Sequence, residues 1–344
     1  MFQTMSAGSR KNKRACPALQ CGISPQRCGA ERETMIACPP DCGFSPYAIA
    51  NYEQALLLTQ GLVHKLLDFI KATVDKPEMD QLMRQAHLDW HEASKDPDAF
   101  FQHLIHYAMA FYQDANERSI GDRLRQGQFA DLNNNERVAS EAYCQSYVSA
   151  LEVQEVGSDG RMMVIDLLGE TTKPFLLIDR AASKNAFRFT IFFAWFLPLP
   201  HYTRISGASA VEVPRETVER WRADISGALR IARKKHPKLT LANYLARTYF
   251  QQVEQMTQIG VEWQKSVLAG VDRVIGRFKI MGRMADVERI LLSKPDFEPI
   301  EPAAGDGFDL PLKQFVWLRR GESKALENDM IAPFQHGASD DGVG

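Results

Sequence analysis

The sequence lacks the features by which several large classes of protein are recognised. Its first fifteen residues are polar and basic rather than apolar, so we expect no secretory signal peptide. Its longest apolar run, FTIFFAWFLPL at 189–199, is shorter than the about 20 residues that span a bilayer, which predicts a buried strand or core helix. No GxSxG, P-loop or GxGxxG motif occurs, so esterase, nucleotide-hydrolysing and dinucleotide-binding activities have no support in the sequence.

The sequence also has little excess charge of either sign. A net charge of -2 gives no general attraction to nucleic acid or to anionic membranes, and we expect a cytoplasmic protein without membrane contact. A local excess of positive charge occurs in the leader, at Arg10, Lys11, Lys13 and Arg14. We interpret this cluster as a solvated tail, with an arm that contacts phosphates as the alternative.

Cysteine is scarce and unevenly distributed, since five of the six cysteines lie within residues 16–43. Without a signal peptide, clustered cysteines favour reduced thiols that bind metal over disulfides. Proline stiffens the turns in CPALQCG and CPPDCG, and glycine after a thiol allows backbone N–H groups to point at the sulfur. The pattern predicts a four-thiolate site, with zinc favoured over an iron–sulfur cluster, whose cysteines usually form a tighter run.

Five thiols are one more than a tetrahedral zinc site needs. By spacing, Cys38 and Cys42 are the firmest pair and Cys16 is the next ligand. Cys21 and Cys28 compete for the fourth position, and spacing alone pairs Cys21 with Cys16. The competing interpretation is a set of small buried thiols or adventitious disulfides.

Histidines are concentrated in the region 51–145, where apolar periodicity predicts helices at about 52–74, 78–93, 97–114, 116–126 and 133–143. His87 and His91 would share one helix face, and His103 and His106 nearly do so. Such pairs can bind metal, but no HExxH pattern occurs. The surrounding aromatic residues favour histidines packed in a core.

The remaining chain changes pattern twice. Residues 146–214 contain five segments rich in β-branched and aromatic residues, which predict a small antiparallel barrel or curled sheet. Helices are predicted at 215–235 and 239–275. Beyond them we predict a strand at RFKIMG, a helix at MADVERILLSK, a loop at FEPIEPAAGDGFDLP and a strand at LKQFVWLRR. The periodicity then ends, which suggests a chain truncated at Gly344 or a disordered natural terminus.

The predicted fold class is α+β, with six consecutive regions. They are a basic disordered leader at 1–15, a cysteine-rich metal-binding knot at 16–50, a helical domain at 51–145, a small antiparallel barrel-like β-domain at 146–214, a helical segment at 215–275 and a partial α/β unit at 276–344.

The segments CPALQ…ISPQRCG…ER…ACPPDCGFSPYAIANYEQ resemble the N-terminus of an uncharacterised bacterial family with a cysteine-rich, zinc-knot-like motif. VSALEVQEV…VIDLL…DR and RFKIM…FVWLRRGE are similar to parts of proteins associated with SEC-C metal-binding motifs, although no SEC-C motif is present. Ser45-Pro46-Tyr47 stands where the family favours Asn-Pro-Phe. Cys28 matches the second cysteine of the family pattern, so the resemblance implies one ligand set, with Cys21 as a spare thiol: Cys16, Cys28, Cys38 and Cys42. It implies no known activity.

We therefore expect a structural, non-catalytic zinc protein that binds a macromolecular partner, either a protein or a nucleic acid, with no evident small-molecule substrate. The first alternative is a metal-dependent hydrolase that uses the histidine-rich helices. The second is a nucleic-acid-binding or ribosome-associated factor.

Overall fold

A computed structural model describes residues 13–89, 96–128, 131–157, 159–169, 173–212 and 215–270, with short stretches at 289–290, 292–293, 297–300 and 314–317. Within these ranges the fold is α+β, with nine α-helices and a closed five-stranded barrel. No helix in this part of the chain is both long enough and apolar enough to cross a membrane. Most of the basic leader, the strand predicted at RFKIMG and the chain end at Gly344 lie outside the described residues.

The cysteine-rich region begins with a hairpin and a short helix. Strands β1 (Arg14–Cys16) and β2 (Cys21–Ile23) pair antiparallel, and helix α1 (Pro25–Glu31) follows. Ser24 caps this helix, because its side chain accepts a hydrogen bond from the backbone N–H of Arg27 at 3.1 Å. The segment after α1 crosses to the helical body through a 3₁₀ turn at Ile49–Asn51.

Five helices form the region that the histidine pattern marks. They are α2 (Tyr52–Thr73), α3 (Lys76–Gln85), α4 (Pro97–Ala110), α5 (Ile120–Arg123) and α6 (Asn134–Cys144). Asp75, Asp96 and Asn133 cap α3, α4 and α6 through side-chain oxygens, which fixes where these helices begin. The helix predicted at 116–126 is much shorter, since it spans only Ile120–Arg123 and continues as a π-helical turn at Leu124–Gln128 with Gly127 at a φ of 94°.

The predicted barrel is confirmed, and all five of its strands lie within the segments rich in β-branched and aromatic residues. They are β3 (Tyr147–Val156), β4 (Arg161–Asp166), β5 (Phe175–Ile178), β6 (Ile191–Pro198) and β7 (Thr203–Glu212), closed in the order β3-β4-β5-β7-β6. The barrel is not wholly antiparallel, because β5 and β7 pair in parallel with Leu177 opposite Thr203. Strand directions cannot alternate around a closed ring of five, so one parallel pair is unavoidable.

Strand β6 explains the long apolar run of the sequence. Phe192, Ala194 and Phe196 belong to the cluster of residues inside the barrel. Phe193 and Trp195 alternate with them and belong to the larger core formed with the helices outside. A strand covered on both faces needs apolar residues at every position, so the run is a doubly buried strand.

Three helices follow the barrel: α7 (Arg215–Arg233), α8 (Leu241–Arg247) and α9 (Tyr249–Gly270). The helix predicted at 239–275 is therefore divided, with Thr248 ending α8. The ring of Phe193 lies 5.2 Å from Trp221 of α7 and 5.8 Å from Tyr249 of α9, measured between ring centroids. These contacts join the helices to the outer face of β6.

The two most C-terminal described segments pair with each other. Strand β8 (Phe297–Ile300) is antiparallel to β9 (Gln314–Trp317), with Phe297 opposite Trp317. The prediction of a strand at β9 is confirmed, whereas the prediction of a loop at β8 is wrong. Prolines in this stretch favoured a loop, but an edge strand tolerates a proline such as Pro299.

Candidate metal centre

Four of the five N-terminal cysteines lie together in one buried cluster. Cys16, Cys28, Cys38 and Cys42 are each between 5% and 8% exposed, and they pack with Ile23 and Ile36. The same four residues line a cavity of about 10 Å³, close to the space that one water molecule requires. Cys21 is exposed and does not belong to this cluster.

Different local structures place these four thiols. Cys16 ends strand β1, and Cys28 lies within helix α1, where its backbone N–H donates to the carbonyl of Ser24 at 2.9 Å. Cys38 and Cys42 lie on a tight turn in which the N–H of Cys42 donates to the carbonyl of Pro39 at 3.0 Å. The cluster is therefore built from a hairpin, a helix and a turn, each supplying one or two sulfur atoms.

The surroundings of the cluster are mostly apolar, with two arginines, Arg14 and Arg32, among the residues that line its cavity. Burial is the main reason that the pKa of Cys38 is raised to about 11, and the neighbouring Cys42 adds to the effect. Nη1 of Arg14 lies 3.9 Å from Sγ of Cys28, and its guanidinium stacks on the ring of Phe44 at 4.8 Å. Arg14 is thus turned toward the cysteines, and its positive charge suits a site that would carry several thiolates.

The donor set fits zinc, because structural zinc sites use four cysteines in a closed tetrahedron. The sulfur atoms do not form a finished coordination shell, since no group of three or more His, Cys, Asp or Glu side chains in the described part of the chain is arranged to hold a metal ion. Zinc–sulfur bonds are about 2.3 Å long. Completing the shell therefore requires the thiol side chains, each of which turns about a single χ1 angle, to converge on the cavity.

The cysteine region is attached to the body by a buried carboxylate that sequence patterns do not reveal. The side chain of Glu33 is 4% exposed, and its Oε1 accepts hydrogen bonds from Oγ of Ser45 at 2.5 Å and from Nε2 of His201 at 3.1 Å. His201 lies in the turn between β6 and β7. A carboxylate can only accept hydrogen bonds, so Nε2 of His201 carries the proton in this contact.

Helix α6 provides a second attachment. The side chain of Asn134 donates to the carbonyl of Arg32 at 2.8 Å and accepts from the hydroxyl of Thr34 at 3.1 Å. The hydroxyl of Tyr47, which is fully buried, donates to the backbone carbonyl of Asn135. The segment that carries the cysteines therefore contacts both the barrel and the helical body.

We expect Glu33→Ala to lower the free energy of unfolding by about 2 kcal/mol, because it leaves the buried Ser45 hydroxyl and the partly buried His201 imidazole without their acceptor. Hydrogen exchange should also quicken around Cys42 and Ser45. Glu31→Ala is the matched control, since its ion pair with Arg27 is solvent-exposed and should be worth less than about 1 kcal/mol. Equal losses in the two variants in chemical denaturation would refute the attachment.

The helix expected to carry both His87 and His91 ends too early for that. Helix α3 stops at Gln85, and His87 has a φ of 52° in the turn beyond it. The prediction that His87 shares a helix face with His91 is therefore wrong, and His91 itself lies outside the described residues. Leu88 closes this helix end, because its N–H donates to the carbonyl of Met83 at 2.9 Å.

His103 and His106 are buried in an aromatic core. The indole N–H of Trp195 donates to Nδ1 of His103 at 3.1 Å, and Nε2 of His106 lies 2.8 Å from Oγ of Ser206. The His106 ring also stacks on Trp195 and Tyr143, with centroids 4.9 and 5.0 Å apart. Burial lowers the pKa of both histidines to about 3, which keeps the rings neutral. This environment is the core packing that the sequence favoured, but it satisfies only one ring nitrogen of each histidine, since Nε2 of His103 and Nδ1 of His106 are buried without a hydrogen-bond partner among the described residues.

A wider depression lies elsewhere on the helical body, at the start of α3. It has a volume of about 670 Å³ and is lined by polar and charged side chains, among them Glu78, Asp114 and Arg123. These three form a compact ion cluster, in which Arg123 bonds to both carboxylates. The hydroxyl of Tyr112 donates to Glu78 at 3.0 Å. Because its charges pair with one another, the cluster is explained by the joining of α3 to α5.

The described part of the chain thus combines a buried four-cysteine cluster, a helical body and a closed five-stranded barrel. No protein-family model matches the chain, and neither a curated protein nor a solved structure matches it.

Proposed function

We propose that this chain is a structural zinc protein without catalytic activity, and that zinc holds its N-terminal region in the shape that a macromolecular partner recognises. The ligands would be Cys16, Cys28, Cys38 and Cys42. The observation that carries the proposal is the burial of these four thiols around one small cavity, with the fifth N-terminal thiol left outside. The ligand set implied by the resemblance and the set selected by burial are the same.

The composition of the site supports a structural role. Four thiolates fill a tetrahedral zinc ion and leave no position for water or substrate. A cavity of about 10 Å³ suits a single ion better than a cluster of several iron and sulfide atoms. Zinc bound in this way would join the hairpin, α1 and the following turn, which contribute few apolar contacts of their own.

Exposed apolar side chains near the cysteines support the interaction role. Leu19 is 40%, Met35 is 82% and Phe44 is 41% exposed, and all three lie within the cysteine-rich region. A contiguous patch of exposed apolar side chains is typical of surfaces that bind other proteins, and we propose that these three residues contribute to one such patch. Leu19 belongs to the hairpin turn, and Met35 and Phe44 flank the turn of Cys38 and Cys42, so zinc would fix their positions.

The histidine geometry does not favour the hydrolase alternative. A catalytic zinc site keeps a position open to water. His103 and His106 are at most 1% exposed and contact aromatic rings, an indole and a hydroxyl. Arg14 contacts Phe44 and lies near Cys28, which removes one cation from the phosphate-contacting arm considered as the alternative for the basic leader.

We expect the purified chain to contain one zinc ion, measured by elemental analysis. Removal of zinc with a strong chelator at neutral pH should make residues 13–46 sensitive to protease, because a structural metal contributes directly to folding. The barrel and the helical body should keep their protease resistance. A zinc-containing protein whose proteolysis and thermal unfolding did not change on chelation would contradict the proposal.

The partner-binding part needs a separate comparison. Wild-type protein should capture a specific macromolecule that Met35→Glu and zinc-depleted protein both fail to capture. Ile231→Glu is the control, because Ile231 is 64% exposed on α7, outside the cysteine-rich region. Capture that survives nuclease treatment would identify a protein partner, and capture lost with nuclease would favour the nucleic-acid alternative.

A further inference from the structure

The spare thiol lies directly across the hairpin from one of the four clustered thiols. In the register of β1 and β2, Cys16 is paired with Cys21. Residues opposite each other in an antiparallel pair have Cα atoms about 4.5 to 5.5 Å apart. Disulfides join cysteines whose Cα atoms are about 4.4 to 6.8 Å apart, so the backbone places this pair within bonding range.

Cys16 lines both a buried cavity and an open cleft. It lines the small cavity that it shares with Cys28, Cys38 and Cys42. It also lines an open cleft of about 560 Å³ whose wall includes Cys21. The sulfur of Cys16 can therefore serve either the buried cluster or a bond to Cys21, but not both. Cys21 is exposed, which gives dissolved oxidants access to its sulfur.

We propose that Cys21 is an oxidation site that withdraws Cys16 from the metal centre by forming a Cys16–Cys21 disulfide, so that oxidation releases zinc. The inference rests on the proposed zinc site. It assigns a role to Cys21, the N-terminal cysteine that is not part of the proposed ligand set. The oxidant class is a hydroperoxide, the usual agent for exposed thiols.

The reaction balances as a two-electron oxidation. The Cys21 sulfur attacks one peroxide oxygen, the O–O bond breaks, and a sulfenic acid forms while the second oxygen leaves as hydroxide and is protonated to water. The Cys16 sulfur then attacks the sulfenic sulfur, forms the S–S bond and expels hydroxide, which is also protonated to water. With hydrogen peroxide the sum is two thiols and one peroxide giving one disulfide and two waters. When Cys16 begins as a metal-bound thiolate, solvent supplies the proton that it does not carry.

The consequence is a local and reversible change. Three thiols remain in the cluster, which is one fewer than a closed zinc site requires. The new disulfide closes only the hairpin loop of residues 17–20, so it does not hold α1 or the Cys38–Cys42 turn in place. A thiol reductant would restore Cys16 by exchange and allow zinc to bind again.

The test uses full-length zinc-loaded protein, prepared without oxygen and treated with hydrogen peroxide. A chromogenic chelator follows zinc release, and mass spectrometry of the tryptic peptide 15–27, which contains only Cys16 and Cys21, follows the disulfide. We expect the peptide to lose the mass of two hydrogen atoms in step with zinc release. In Cys21→Ser, release should be at least about tenfold slower, while the zinc content before oxidation stays at the wild-type level.

Cys144→Ser is the control, because Cys144 lies on α6 and lines neither of the two spaces. It should release zinc at the wild-type rate. Equal release from Cys21→Ser and wild type, or a 15–27 peptide that keeps both thiols while zinc leaves, would overturn the disulfide switch alone. Wild-type protein that binds no zinc would overturn the proposed function instead, and a zinc-free Cys21→Ser would show that Cys21 is itself a ligand.

Discussion

Replacement of Cys38 by serine should leave the protein without bound zinc and should unfold residues 13–46. A serine hydroxyl is a poor substitute for a thiolate at a zinc ion, and the remaining three thiols cannot close the site. Structural zinc contributes about 10 to 16 kcal/mol in isolated zinc-finger peptides at neutral pH, so its loss should exceed the stability of the small module that it holds. Elemental analysis and limited proteolysis together measure both effects.

The matched control is Cys21→Ser, which changes the same atom in the same region but at an exposed position. It should keep one zinc per chain and the wild-type proteolysis pattern. Zinc that persists in Cys38→Ser and disappears in Cys21→Ser would give Cys21 the ligand role and refute the proposed ligand set. A His91→Ala variant that keeps its zinc would separately exclude that histidine as a ligand.

Acidification from pH 7 to pH 5 should lower the free energy of unfolding by roughly 4 kcal/mol through His103 and His106 alone. Well above pH 6.5 both histidines are neutral in the folded and the unfolded chain, so they contribute no pH dependence there. Below pH 6.5 both histidines bind a proton in the unfolded chain but not in the folded chain, since burial lowers both pKa values from 6.5 to about 3. For each pH unit of acidification, each histidine then lowers the free energy of unfolding by about 1.4 kcal/mol, until the pH reaches its pKa in the folded chain.

Other groups also titrate in this range, including any zinc-bound thiolates, so the histidine contribution must be isolated. The double variant His103→Gln/His106→Gln should be less stable at pH 7 but should show a shallower loss toward pH 5 in chemical denaturation. Histidine ring signals in NMR provide a direct readout, with the exposed His64 and His236 as internal references. Protonation of the two buried rings before unfolding, or an unchanged slope in the variant, would contradict this account.

The barrel could be predicted because its strands carry local signals. β-branched and aromatic residues mark each strand, and turn residues separate the strands. The parallel pairing of β5 with β7 could not be obtained in this way, because it depends on closure of the ring and has no signature in either strand. The early end of α3 also lacks a local signal, because the sequence around His87 has no glycine to mark a helix end.

Residue spacing alone does not identify the fourth member of the proposed ligand set. Counting residues pairs Cys21 with Cys16, and the hairpin does place them side by side. The proposal of Cys28 instead of Cys21 rests on burial, since Cys28 on α1 is buried and Cys21 is exposed, and spacing carries no information about burial. Glu33 and His201 are 168 residues apart, so no local pattern could reveal their contact.

Part of the cover on the outer face of β6 is synthesised after β6 itself. Phe193 packs against Trp221 and Tyr249, which the ribosome adds only after the barrel strands are complete. Its neighbour Trp195 is also covered by His103 and His106 of the earlier helix α4. Until α7 and α9 are made, the part of β6 that carries Phe193 lacks their cover, and an exposed apolar segment of this kind promotes aggregation. Truncation before α7 should therefore yield insoluble protein even though every barrel strand is present, and a chaperone that shields apolar segments during translation would be expected to improve its yield.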